Sequence, residues 1–159
     1  MIKVFKQSAI ALAAMLAATS PALAQDKAVA LTGDVLLERT VVSDDGTKKI
    51  ERVAPETIVP GDRLIFTTSY TNKGGDTVTD FVVTNPLPAA VRLAPDASDT
   101  LVVSVDKGKT WGALGTLNAI EADGTTRPAT HEDVTHVRWT LASVAAGSAG
   151  TLEYPAIIR

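Results

Sequence analysis

The sequence contains no cysteine. Disulfide bonds and thiol chemistry are therefore excluded, and the folded chain has to rest on packing alone. Aromatic residues make up only 4% of the chain, so we expect a core built mainly from valine, leucine and alanine. A hydrophobic period of 3.6 residues is missing after the first 24 residues, which argues against amphipathic helices.

The motifs of common catalytic sites are also missing. The sequence has no Gly-x-Ser-x-Gly motif, no serine, histidine and aspartate in a supporting context, and no phosphate-binding loop. The chain has two histidines, His131 and His136. We therefore expect no catalytic residue and no cofactor, and a protein that is not an enzyme.

Three acidic segments are the only candidates for metal ligands. His131, Glu132 and Asp133 are adjacent, but a metal site needs three or four ligands and no second cluster has a matching spacing. The pairs at 44–45 and 96–99 could offer carboxylate oxygens to calcium, yet neither follows the Asp-x-Asp-x-Asp-Gly register. A solvated loop and ordinary acidic turns are the favoured interpretations, and we expect no metal site.

The N-terminus is typical of a secretory signal peptide. A basic start is followed by an apolar run over residues 8–18, which is too short to cross a bilayer. Ala22 and Ala24 occupy the two small positions that a signal peptidase reads. We expect cleavage after Ala24, so that the mature chain begins at Gln25. An uncleaved membrane anchor is the alternative.

Residues 25–159 have the length of one domain, which can bury about two-thirds of its unfolded surface. Lys3 and Lys6 leave with the signal peptide, so the 15 basic residues become 13 against 18 acidic ones. An acidic surface disfavours nucleic acid and anionic lipid as partners. We expect export to the periplasm or the cell surface, no membrane insertion after cleavage, and a protein partner. That partner is a second copy or another envelope protein.

The clearest strand pattern lies between Pro60 and Pro88. Apolar and polar residues alternate over residues 63–71 and again over residues 77–84, as in strands buried on one face. Residues 72–76 between them contain Gly-Gly and predict a reversal of the chain. The sequence therefore predicts that these two strands pair as a hairpin, and that the rest of the chain supplies a second layer.

Similar runs predict the other strands. They lie at residues 28–31, 35–42, 48–53, 89–93, 100–105, 136–141 and 151–158. Residues 114–120 fit a strand or a loop, and residues 121–133 read as a long polar loop. Pro155 lies inside the last run, which predicts that this strand is at an edge or bulged. Six to nine short strands at this spacing predict an all-β fold, a single β-sandwich.

The central stretch also resembles a known family. Its order is PGD, an alternating strand, TN-x-G, a strand ending in Val-Val-Thr, and PLP, and the closing segment VRWTLASVAAGSAGTLEYPAIIR fits a final strand pair. This resembles the conserved-repeat domain of secreted bacterial surface proteins, a family of unknown function and the eleventh so named. The resemblance covers roughly residues 35–159, although Asn85 stands where the family usually has aspartate. It implies an immunoglobulin-like β-sandwich and no reaction.

A second motif fits S-x-D-x-G-x-T-W and is similar to the Asp-box of sialidases and other β-propellers. Its residues are Ser104, Asp106, Gly108, Thr110 and Trp111. The pattern predicts a tight turn in which Asp106 binds backbone amides, Gly108 takes a positive φ and Trp111 packs over the loop. The chain is too short for a propeller. A structural turn is therefore favoured, and glycan handling is the alternative.

These observations favour a non-catalytic structural or interaction module of the bacterial envelope. A glycan-binding or glycan-hydrolysing accessory domain, and an accessory subunit of a larger complex, are the alternatives. One short apolar segment lies near the mature N-terminus: Ala28, Val29, Ala30 and Leu31. Because Gly33 and Asp34 follow it as a hinge, we predict that it is donated to the sheet edge of a neighbouring copy and builds a filament. Pairing within its own sandwich is the alternative.

Overall fold

A computed structural model describes residues 28–159, and this part of the chain is all-β. The strands are β1 Val29–Val42, β2 Lys48–Val53, β3 Arg63–Asn72, β4 Val78–Pro86, β5 Val91–Leu93, β6 Val102–Ser104, β7 Gly112–Ala113, β8 Asn118–Ile120, β9 Thr126–Pro128, β10 His136–Val144 and β11 Ala149–Ile158. One 3₁₀ turn spans Leu114–Thr116. The predicted cleavage residues Ala22, Ala24 and Gln25 lie outside the described residues. None of the described helical segments is long and apolar enough to cross a membrane.

Two antiparallel sheets form a sandwich. The first has the strand order β2-β1-β3-β11-β5, and the second has the order β4-β10-β6-β7. β8 and β9 form a separate two-stranded ribbon. The all-β sandwich predicted from the alternating runs is thus confirmed.

The core between the sheets is centred on Tyr154 of β11. Its ring stacks on Phe66 of β3 at 5.0 Å between centroids, and Trp139 of β10 packs against it from the second sheet at 6.1 Å. Most other buried side chains are valine, leucine and alanine, as the scarcity of aromatic residues predicted. Alternation places these residues inward, because successive side chains of a strand point to opposite faces.

The predicted hairpin of the two central strands is wrong. β3 pairs with β1 and β11 in the first sheet, whereas β4 pairs with β10 in the second. Residues 73–77 therefore cross from one sheet to the other. The buried Asn72 holds this corner: its side-chain amide donates to the carbonyl oxygens of Asp76 (2.8 Å) and Val144 (2.9 Å), and its Oδ1 accepts from the amide of Gly74 (2.9 Å).

The predicted break in the first strand is wrong as well. β1 runs without interruption from Val29 to Val42, and Gly33 and Asp34 pair with β3 like their neighbours. Gly33 does not have a positive φ, so its backbone fits the extended geometry of a strand. β3 is continuous opposite it and supplies the pairing partner. Val29 to Leu31 pair with Tyr70 to Asn72 of the same chain, which is the alternative to strand donation.

Two further differences concern the second half of the chain. The predicted loop over residues 121–133 contains β9, which pairs with β8 around a turn at residues 121–125. β11 has β3 on one side along nearly its whole length, but β5 borders its other side only from Ala156 to Ile158. The edge position predicted from Pro155 therefore holds for the first half of β11 only.

Candidate functional site

The Asp-box residues lie in one turn after β6. The buried Ser104 hydroxyl donates to Oδ1 of Asp106 and accepts from the amide of Gly108, both at 2.8 Å. The Asp106 carboxylate accepts from the amides of Lys109 (3.0 Å) and Thr110 (2.9 Å) and from the Thr110 hydroxyl (2.7 Å). Gly108 has a φ of +86°, the left-handed region that glycine tolerates best. The expected amide bonds of Asp106 are present.

Trp111 is hydrogen-bonded to this turn through its indole ring. Its indole nitrogen donates to the carbonyl oxygen of Gly108 at 2.9 Å. The guanidinium of Arg138 covers one ring face at 3.5 Å from the centroid, and His136 packs against the ring in a T-shaped geometry. Contacts from its own chain therefore hold the ring on several sides. The sequence pattern did not reveal Arg138, because β10 is brought beside β6 only by the sheet.

The carboxylate of Asp106 is poorly suited to proton transfer. Hydrogen bonds from the amide and hydroxyl of Thr110 hold its pKa well below the usual range. A general acid in glycoside hydrolysis needs a raised pKa, so that it is protonated at neutral pH. Asp106 has the opposite shift, and its oxygens are already engaged within the turn. The geometry is that of a side chain that stabilises its own turn.

The lowered pKa of Asp106 predicts an acid-dependent contribution to stability. The folded turn favours the ionised form, so this contribution is present above the unfolded pKa of about 4 and is lost as the pH falls below it. We expect Asp106→Asn to lower the melting temperature at pH 7 and to flatten its decline below pH 4. Thr110→Val should flatten it partly. An acid decline in Asp106→Asn as steep as in the wild type would contradict this assignment.

Most of the other predicted ligand candidates are engaged in contacts within the chain. Asp133 binds Arg127 through both carboxylate oxygens at 2.7 Å, and hydrogen bonding to Arg127 holds its pKa well below the usual range. Glu132 pairs with Arg92 and Arg159. Asp45 accepts from Thr47 and Asp96 pairs with Arg63, whereas none of the salt bridges within residues 28–159 involves Asp44 or Asp99. Within residues 28–159 no group of three acidic or histidine side chains is arranged to hold a metal ion.

Several strand edges have no neighbour within residues 28–159. β2 pairs with β1 only from Leu37 onward, which leaves residues 29–36 of β1 open on that side. β4 is open along its whole outer side, and residues 139–144 of β10 lie beyond the end of β6. An open edge presents backbone donors and acceptors to another chain.

The β1–β2 ribbon extends past the sandwich. β3 begins at Arg63, opposite Glu38, so residues 39–42 of β1 pair with β2 alone. We call residues 39–51 the arm. Val42 and Ile50 are 59% and 64% exposed. The register pairs Val42 with Lys48, so these three side chains share one face of the arm.

A cavity of about 510 Å³ lies at the other side of the sandwich. Leu93 of β5, Leu101, Val103 of β6 and Leu114 form apolar walls, and Asp99 lies among its polar lining residues. β5 and β2 are the two outermost strands of the first sheet. The cavity and the arm therefore lie at opposite sides of the molecule.

No protein-family model, curated protein or solved structure matches this chain. The resemblance to the conserved-repeat family stays a prediction from the sequence.

Proposed function

We propose that this protein is a non-catalytic interaction module of the bacterial envelope, with an immunoglobulin-like sandwich that is exported by a signal peptide and released from it by cleavage. The observation that carries the proposal is the open edge of β1 over residues 29–36. Eight consecutive residues there have a partner strand on one side only. Strand addition to such an edge is a recurring mode of protein recognition.

The edge of β1 suits strand addition better than the edge of β4. β4 carries Asp80, whose φ of +50° departs from strand geometry, and both a charge and a local distortion protect an edge from pairing. The open β1 edge carries one charge, Asp34, but none of its residues has a positive φ, and Leu31 on it is 47% exposed. Beside Gly33 lies a depression of about 350 Å³ next to Phe66. An apolar side chain of an added strand fits there.

This proposal changes the role of the N-terminal segment. Donation of residues 28–31 to another copy would require breaking the pairs from Val29–Asn72 to Leu31–Tyr70. Reception of a strand at the outer side of β1 leaves these pairs intact. The segment is therefore proposed as the acceptor edge rather than as the donor strand.

No observation favours the glycan-handling alternative. Trp111 is held by Gly108, Arg138 and His136, and the carboxylate of Asp106 is saturated by its own turn. A stacking platform for sugar rings needs a free aromatic face, and a glycosidase needs a pair of carboxyl groups with matched roles. In the turn, Arg138 covers one face of the Trp111 ring, and the Asp106 carboxylate is bound by the amide of Thr110.

Photo-crosslinking in cells tests the proposal. A photoreactive amino acid in place of Leu31 should give adducts with an envelope protein or a second copy. The matched control is Val82, which is 48% exposed but lies on the protected strand β4. We expect adducts from position 31 and few from position 82. Absence of adducts at position 31, or equal yields at both positions, would contradict the proposal.

A further inference from the structure

We infer that the arm of one copy inserts Val42 and Ile50 into the apolar cavity of a second copy, so that copies join into an open chain. The inference rests on the proposed function, because it names a second copy as the partner of an interaction module. Three observations carry it: the exposed apolar pair on the arm, the size and lining of the cavity, and the charges beside each.

The arm presents apolar surface that its own chain leaves uncovered. Residues 39–42 pair only with β2, and a two-stranded ribbon is marginally stable in water unless it packs against something. Val42 and Ile50 are neighbours on one face of that ribbon and are both more than half exposed. Packing against a second copy would cover them and hold the ribbon.

The cavity has the size and lining that two branched aliphatic side chains need. Its volume of about 510 Å³ lies in the range of typical binding pockets. Leu93, Leu101 and Val103 form its floor and are at most 9% exposed, because the packing of the sandwich holds them. The apolar surface that an incoming side chain reaches comes from Ala113, Leu114 and Ala129. A rigid apolar cavity binds without a large loss of conformational freedom.

The charges are complementary. Lys48 is exposed on the arm face that carries Val42 and Ile50. Asp99 is exposed where it lines the cavity, and none of the salt bridges within residues 28–159 involves it. An exposed ion pair adds little affinity, but it sets the orientation of docking. We assign Lys48 and Asp99 to that role.

The position of the two surfaces decides the type of assembly. The arm extends from the β2 side of the first sheet and the cavity is at the β5 side. A contact between different surfaces of identical subunits is head-to-tail, and unless a ring closes it leaves one free arm and one free cavity at the ends of each oligomer. Such a contact grows into a chain rather than stopping at a dimer.

Sedimentation velocity of the exported, purified protein over a range of concentrations tests the inference. The wild type should form species larger than a dimer as its concentration rises. Ile50→Asp should raise the concentration needed for half-association about tenfold or more, as for a central interface residue. The control Val82→Asp, an equally apolar exposed site on β4, should leave association unchanged.

A charge exchange identifies the partner surface. Lys48→Glu and Asp99→Lys should each weaken association, and the double variant should restore it. The absence of native cysteine allows a second measurement, because any disulfide comes from engineered residues. An Ile50→Cys variant mixed with a Ser98→Cys variant should form a disulfide-linked pair, whereas Ile50→Cys mixed with Val82→Cys should not.

Three results would overturn the inference: a wild type that stays monomeric, a wild type that stops at a dimer, or association unaffected by Ile50→Asp. These results are separable from failure of the proposed function. Adducts from position 31 do not depend on Ile50, so they can persist when the arm contact is disproved. Conversely, association through the arm without adducts at position 31 would contradict the β1 edge alone.

Discussion

Replacing Tyr154 with alanine should lower the free energy of unfolding by about 3–5 kcal/mol, the usual cost of deleting a buried aromatic ring. The side chain is 1% exposed and lies between Phe66 of its own sheet and Trp139 of the other. In a core with so few aromatic residues, neighbouring valines and alanines cannot refill the space. Chemical denaturation at pH 7 measures the loss.

Tyr154→Phe is the matched control for this prediction. It keeps the ring, and the hydroxyl has no hydrogen-bond partner among the described residues, so we expect a change below about 1 kcal/mol at pH 7. Burial raises the pKa of the Tyr154 hydroxyl to about 12. The hydroxyl is therefore neutral in the folded state up to a higher pH than in the unfolded state. The stability that follows from this difference is fully present below the unfolded pKa of about 10 and is lost as the pH rises toward 12. Tyr154→Phe should lack this alkaline loss. Equal damage from phenylalanine and alanine would show that ring packing is not the cause.

Replacing Asn72 with aspartate should destabilise the protein by about 3–5 kcal/mol at neutral pH, because it buries a charge without a partner. Asn72 is fully buried, and its side-chain amide donates to two carbonyl oxygens, those of Asp76 and Val144. A carboxylate cannot donate and would face both oxygens with its own negative charge. Denaturation curves at pH 8 and pH 4.5 test this directly.

The pH dependence of that variant separates charge from shape. Burial raises the pKa of the introduced carboxyl group above its unfolded value, so the penalty is largest at high pH and shrinks as the pH falls. Asn72→Ala instead leaves the buried Val144 carbonyl without a donor, at a cost of about 1–3 kcal/mol that changes little with pH. A penalty for aspartate that is the same at both pH values would refute the role given to the amide.

The alternating runs of the sequence were enough to predict most of the strands, although they divided β1 in two and did not reveal β9. Leu64 and Phe66 lie two residues apart in β3, and Tyr154 belongs to an alternating run in β11. This period of two depends only on the local geometry of a strand. The Asp-box turn was predictable for the same reason. Its hydrogen bonds join Ser104, Asp106 and Thr110, which lie within seven residues of one another.

The partners of those strands could not be predicted in the same way. Five residues between two strands allow either a hairpin or a crossing between sheets. In the structure the crossing is stabilised by Asn72, whose bond to Val144 spans 72 positions of the chain. Arg138 over Trp111 is a similar case, since only the pairing of β6 with β10 brings the two side chains together.

The sequence by itself determined an all-β chain with a valine-rich core, no thiol chemistry and a tight turn at Asp106, because composition and period-two alternation are properties of neighbouring residues. Only the tertiary structure decided which surfaces stay open. The pairing of β1 with β3 ends at Glu38, and the residues of β1 after that point form the arm with β2. The pairing of β1 with β2 begins at Leu37, and the residues of β1 before that point form the free edge. Where one strand ends against another is set by packing between distant segments, and no local pattern encodes it.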